Sequence, residues 1–161
     1  MVQLSFLVIK IIREVMYMED RFQCSICVDL LMLKQENDKL KVLLMRRKNT
    51  GFNDGEYELP GGHLESDEDL FDAMLREISE ELLIDAKRED LEIAHLMHHF
   101  SGRRINVIFK INGESFIPAI GEPEKCDKLE WFDLNNLPKN TSAKMKKIIE
   151  NVSMKKFYDK M

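Results

Sequence analysis

The stretch REISEELL, residues 76–83, sets Glu77, Glu80 and Glu81 beside Arg76. Spacing of i, i+3 and i+4 puts all three carboxylates on one helix face, where each like-charged pair costs about 0.2–0.5 kcal/mol. They also stand near the predicted C-terminus of their helix, where the macrodipole disfavours negative charge. A chain that gathers acids against both effects needs a cationic partner. Oxygen ligands on one rigid face suit magnesium, a hard ion that usually keeps part of its water. Such an ion neutralises nearby negative charge and lowers the pKa of a bound water.

The pattern extends beyond the glutamates. From Gly62 the chain reads GHLESDEDLFDAMLREISEELLI, with Gly62, Glu68, Arg76, Glu77, Ile78, Glu80, Glu81 and Ile84 in fixed register. It resembles the signature of the Nudix hydrolases, in which Gly and Glu precede Arg-Glu-apolar-x-Glu-Glu-x-Gly-apolar. Leu83 stands where that signature closes on glycine. Such a glycine terminates a helix, so its loss bears on the helix exit and not on the chemistry. ELPGGHLE before the box and LEWFDLNNLP after it look like the family's flanks, and AHLMHHF with GEPEKCDKLEWF is similar to a MutT-like subgroup. The resemblance runs from about Phe22 to Leu137.

The resemblance implies a Nudix-type α/β/α sandwich with a central mixed β-sheet, a catalytic helix at about 67–82 and a C-terminal helix. It implies Glu77, Glu80, Glu81 and the Gly61 carbonyl as ligands of Mg²⁺ or Mn²⁺. Arg76 would hold those ligands in place by pairing with carboxylates of the box, Glu68 foremost. The two glycines of PGG let backbone approach an ion or phosphate without a Cβ in the way. A general base is expected in GEPEKCD, which offers Glu122, Glu124 and Asp127, with Glu124 favoured. Of Arg46 and Arg47, which end a strand, Arg47 is the stronger candidate for a substrate phosphate, as a forked donor. The implied activity is hydrolysis of a nucleoside diphosphate-linked substrate. The leading form is a nucleoside triphosphate pyrophosphohydrolase releasing monophosphate and pyrophosphate. The alternatives are ADP-ribose, NDP-sugar or dinucleoside polyphosphate hydrolysis, or a nucleotide-binding module without catalysis. HHF occupies the region where the family's ADP-ribose enzymes often carry a proline.

Other chemistry-bearing residues read as structural. On a strand His95 and His99 share one face and His98 takes the other, with no cysteine placed to complete a zinc site. Cys24 and Cys27, three apart on a predicted strand, face opposite sides and cannot chelate together; Cys126 stands alone. Trp131 lies in an apolar strand and reads as core.

The elements that must position the site follow from periodicity. Residues 22–33 and 40–45 read as a hairpin across QENDK, followed by a loop broken by a short strand at Tyr57–Leu59. Ser66 with Asp69 fits a capping box. Phe71, Met74, Leu75, Ile78 and Leu82 form the helix's core stripe, with the glutamates about 120° away. LEIAHLMHHF and RINVIFKI read as strands joined by SGR, SFIPAI as a short strand and KLEWFDL as another. TSAKMKKIIENVSMKKFY reads as a terminal helix burying Met145, Ile148, Ile149 and Val152.

At 161 residues with a net charge of -5, the chain suits one domain with a substantial core. The acidic balance argues against a nucleic-acid polymer as partner. Residues 1–17 read as an N-terminal extension, too interrupted by Lys10, Arg13 and Glu14 to span a membrane and without a signal peptide's basic start. The domain proper is expected over 18–161, with a cytoplasmic location; a homodimer is compatible with the family resemblance.

Overall fold

The computed structural model describes residues 22–161; the expected extension and the domain's start at Met18 lie outside the described residues. Strands β1 (Ser25–Glu36) and β2 (Lys39–Arg47) form the predicted hairpin. Asn37 and Asp38, both at positive φ, make its two-residue turn, the geometry whose twist matches that of the strands. Further strands are β3 (Tyr57–Glu58), β4 (Gly61–His63), β5 (Glu92–His99), β6 (Arg104–Asn112), β7 (Cys126–Asp133) and β8 (Tyr158–Lys160). Together they form one mixed sheet ordered β3-β2-β1-β6-β5-β8, with β4 paired to β1 and β7 to β2. The parallel β1/β6 pair at its centre runs from Ser25↔Arg104 to Leu33↔Asn112.

Helix α1 (Leu70–Leu82) covers one face and α2 (Ala143–Ser153) the other, completing the α/β/α sandwich. From α1, Ala73, Met74, Ile78 and Leu82 pack on Val28, Leu30, Met32, Val107 and Phe109. Phe71 meets Phe109 edge to face at 5.0 Å. From α2, Met145, Ile148 and Ile149 pack on Leu31, Val42, Leu44 and Ile108. Full burial of such side chains contributes about 1.5–3 kcal/mol each, so each helix is held by its apolar stripe and its polar face is left for other uses.

The elements differ from the sequence reading at several places. Helix α1 starts at Leu70, three residues late, because Asp69 is the N-cap, accepting from the amides of Phe71 and Asp72. Ser66 does not cap it; Asp67 takes positive φ and Glu68 bonds instead to Glu65 N and Arg76. The segment 116–120 is not a strand: its Ala119 amide donates to the carbonyl of Leu82. Helix α2 ends at Ser153, the chain reverses through Lys155 at positive φ, and the residues expected to extend the helix become β8. Buried Asn151 fixes that reversal by donating to Asp159.

Among the described residues no helix is long and apolar enough to cross a membrane.

Candidate active site

Helix α1 leans on β4, and the contact is close at Gly62, where a Cβ would overlap the Glu77 carboxylate. Gly61 is equally constrained, at φ +144 with the Val28 carbonyl in the space a side chain would need. These two glycines bring β4 against the helix, and the Gly61 amide donates to Glu81 Oε2 at 2.7 Å.

Arg76 organises the acidic face. Its Nε and Nη2 donate to the two oxygens of Glu68 at 3.1 and 2.8 Å. Nη1 reaches Glu77 Oε1 at 2.7 Å and Glu80 Oε2 at 3.3 Å, while Nη2 also donates to the His63 carbonyl. That uses the full donor set of a guanidinium. The bonds to Glu68 hold the arginine well above its ordinary pKa and depress the Glu68 carboxyl.

The three glutamates differ in solvation. Glu77 is 12% exposed and Glu80 53%. Burial raises the Glu77 carboxyl against the pull of Arg76, and burial pushes Glu81 up to about 8, against the Gly61 amide and with added repulsion from Glu77. In both, burial disfavours the charged carboxylate.

Glu77, Glu80 and Glu81 line a cleft of ≈ 550 Å³ together with Gly61, Gly62, Arg76, Arg47, Glu122 and Lys125. The donor chemistry, oxygen only and anionic, fits a hard divalent cation. Their side chains are held on proton donors, Glu77 and Glu80 on Arg76 and Glu81 on Gly61. Among the described residues, no three His, Cys, Asp or Glu side chains converge on one point.

A NUDIX domain profile matches residues 26–152. The chain belongs to the Nudix family. A curated relative, the ADP-ribose pyrophosphatase of Methanocaldococcus jannaschii, is 36% identical over 101 residues, 62% of this chain. The match spans 58% of that relative's length. Among solved structures, a MutT NUDIX hydrolase from Burkholderia pseudomallei superposes with TM-score 0.66 at 25% identity, covering 80% of this chain and 97% of that one. The NUDIX domain of Shewanella oneidensis NrtR, solved with ADP ribose, gives TM-score 0.67 at 21% identity over 88% of this chain and 97% of that one. At that identity the second likeness speaks for the Nudix fold alone.

Within this Nudix frame several expected site residues separate. Arg47 lines the cleft, and its Nε donates to the Phe52 carbonyl at 2.9 Å. Arg46 does not line it: Nε and Nη2 form two 2.7 Å bonds to Asp127. The β2/β7 register shifts between the two arginines; Arg46 and Asp127 satisfy each other, and Arg47 is the one left to the cleft. Glu124, the favoured base, is exposed and outside the cleft; Glu122 lines it, paired with Lys125 at 2.6 Å. The reason is the turn at 122–125, where the amides of Lys125 and Cys126 both donate to the Glu122 carbonyl.

His95 is fully buried with Nδ1 2.7 Å from the Lys156 carbonyl, and His98 meets Tyr158 and Phe100. Trp131 packs on the α1 side under Lys34 Nζ, 4.5 Å from the ring. The cysteines are free thiols, with burial raising those of Cys27 and Cys126.

The cleft also contains residues that no motif marked: Asp29, Glu58, Arg104, Asn106 and Lys144. One signal was available in the sequence. Asp29 interrupts the apolar run CVDLLM and Asn106 the run RINVIF, and a polar residue inside a buried strand needs a partner.

Proposed function

We propose that this chain is a divalent-metal-dependent pyrophosphohydrolase acting on small nucleoside diphosphate-linked substrates. The observation that carries the reading is the cleft lined by Glu77, Glu80 and Glu81 together with Arg47 and Lys125, which brings groups for a cation and groups for an anion into one space. Mg²⁺ or Mn²⁺, when bound, would supply charge neutralisation of the diphosphate and an acidified water. Glu77, Glu80, Glu81 and the Gly61 carbonyl are the proposed ligands. Arg76 holds Glu77 and Glu80 on one side, and the Gly61 amide orients Glu81. Arg47 and Lys125 donate to phosphate oxygens. Glu122, on the cleft wall, takes the proton of the attacking water; it is better placed for this than Glu124. One phosphoanhydride P–O bond breaks as the water oxygen bonds to phosphorus, with no covalent enzyme intermediate.

Two finer readings follow. The MutT-like character of the sequence favours nucleoside triphosphates, cleaved to monophosphate and pyrophosphate. The 36%-identical relative named ADP-ribose pyrophosphatase favours ADP-ribose. A panel of triphosphates, ADP-ribose, sugar nucleotides and dinucleoside polyphosphates, assayed with magnesium and again with chelator, separates them. Metal-dependent release from one class identifies the substrate. Binding without hydrolysis anywhere in the panel would make the chain a nucleotide-binding module.

A further inference from the structure

Strand β8 has one partner, β5, among the described residues, and forms an edge of the sheet. Ten large hydrophobic side chains are exposed among the described residues, and six stand along this edge: Phe22, Phe100, Met154, Phe157, Tyr158 and Met161. Single exposed apolar side chains are ordinary, but a group of them marks a contact surface.

Backbone bonds bring them together. The amide of Phe100 donates to the Met161 carbonyl and that of Met161 to the His98 carbonyl, which ties the turn after β5 to β8. Phe22 stacks on Phe100 at 6.0 Å, and both rings meet His98 edge to face. His98 Nδ1 lies 3.3 Å from the Tyr158 hydroxyl. Met154 and Phe157 belong to the turn from α2 into β8, held where the Leu96 amide donates to the Phe157 carbonyl.

The same edge is cationic. Residues 139–161 contain seven lysines against Glu150 and Asp159, in a chain whose net charge is -5. Lys155, Lys156 and Lys160 are exposed beside the apolar group, and the exposed Arg103 lies 5.6 Å from the Phe22 ring. Asp159 does not offset them: it bonds Asn151 of α2 and is neutralised by Lys156 at 2.8 Å and Lys147 at 3.8 Å.

Cations among exposed rings and methionines match a partner that is anionic outside and apolar within. At a lipid surface the ammonium groups stay with anionic headgroups while rings and thioethers enter the acyl boundary. A second copy docked through a two-fold axis would set the same cations against each other. Single-stranded nucleic acid would stack on the rings but leave Met154 and Met161 without a complementary surface.

We propose that the β8 edge docks this protein on an anionic lipid surface, as a peripheral contact. The proposal is independent of the reading of the cleft.

The test is co-sedimentation of the full chain with phosphatidylcholine vesicles, with and without phosphatidylserine. Binding should require phosphatidylserine and weaken as salt is raised. Lys155→Glu with Lys160→Glu should lower the partition coefficient about tenfold or more. Phe100→Ser with Phe157→Ser should lower it about tenfold through lost apolar contact. All four positions are exposed, so both double variants should keep the native circular dichroism. No binding, equal binding to both vesicle types, or binding undiminished in either double variant would overturn the proposal. Dimerisation or oligonucleotide binding that these variants abolish, without vesicle binding, would also overturn it and assign the edge to a second copy or to nucleic acid.

Discussion

The amide of Gly121 donates to the carbonyl of Glu81 at 2.9 Å, tying the loop that carries Glu122 to the last turn of α1. The approach is so close that a Cβ on Gly121 would overlap the carbonyl oxygen of Glu80. With Ala119 bonded to Leu82, this loop takes up carbonyls that a helix end otherwise leaves unsatisfied. Gly121→Ala must push the loop off the helix and move Glu122 relative to Glu81. The expected outcome is a drop in kcat of about a hundredfold, with the chain still folded by circular dichroism. Unchanged kcat would show that the loop's position is immaterial to the reaction.

Leu83 closes α1 in the left-handed conformation, φ 55 and ψ 38, where the family's signature places glycine. The side chain is exposed, so little packing offsets the backbone strain. Leu83→Gly should raise stability by about 1 kcal/mol, reduced somewhat by glycine's greater freedom in the unfolded chain. Urea titration at constant m-value checks the sign.

Glu81→Gln keeps an oxygen for the Gly61 amide but removes one charge from the proposed ligand set. Turnover at saturating magnesium should fall about a hundredfold, ~3 kcal/mol of transition-state stabilisation. Isothermal titration with Mg²⁺ should show weakened binding in parallel. Near-native turnover would remove Glu81 from the ligand assignment.

The two neighbouring arginines should behave differently. Arg47→Ala removes a cation from the cleft and should raise KM about tenfold through a lost charge-assisted hydrogen bond. Arg46→Ala breaks a half-exposed pair with Asp127, for which about 0–1 kcal/mol of stability and no change in KM are expected. Steady-state kinetics on both variants decides whether their different partners assign their roles correctly.

The terminal strand β8 should carry an acid-sensitive contribution to stability. Asp159 bonds Lys156 and Asn151, and the lysine's hydrogen bond is the largest influence holding its carboxyl below the usual range. With the folded pKa below the unfolded value of about 3.9, the contribution is complete above that pH and fades as pH falls through the folded value. The difference in urea midpoint between the native chain and Asp159→Asn should therefore be constant above about pH 5 and shrink on acidification. A difference independent of pH would mean that the charge of Asp159 contributes nothing.

What the sequence determined by itself was whatever depends on local spacing. The glutamates share a face because 3.6 residues make a turn, and Met145, Ile148 and Ile149 are buried for the same reason. The register of Gly62, Glu68 and Arg76 with those glutamates identified the family before any coordinates. Relations between distant segments were decided only by the tertiary structure. Asp127, 81 residues along the chain, claims Arg46, while Glu122 and not Glu124 reaches the cleft because a turn directs it there. Asn106 meets Asp29 across the parallel β1/β6 pair, a neighbour relation that no periodicity contains. Helix α2 stops at Ser153 because Asn151 binds Asp159 once the chain has turned back, and tertiary bonds of this kind override local helix preference. Short-range patterns follow from backbone geometry alone, but partners far apart in sequence are set by sheet order and register.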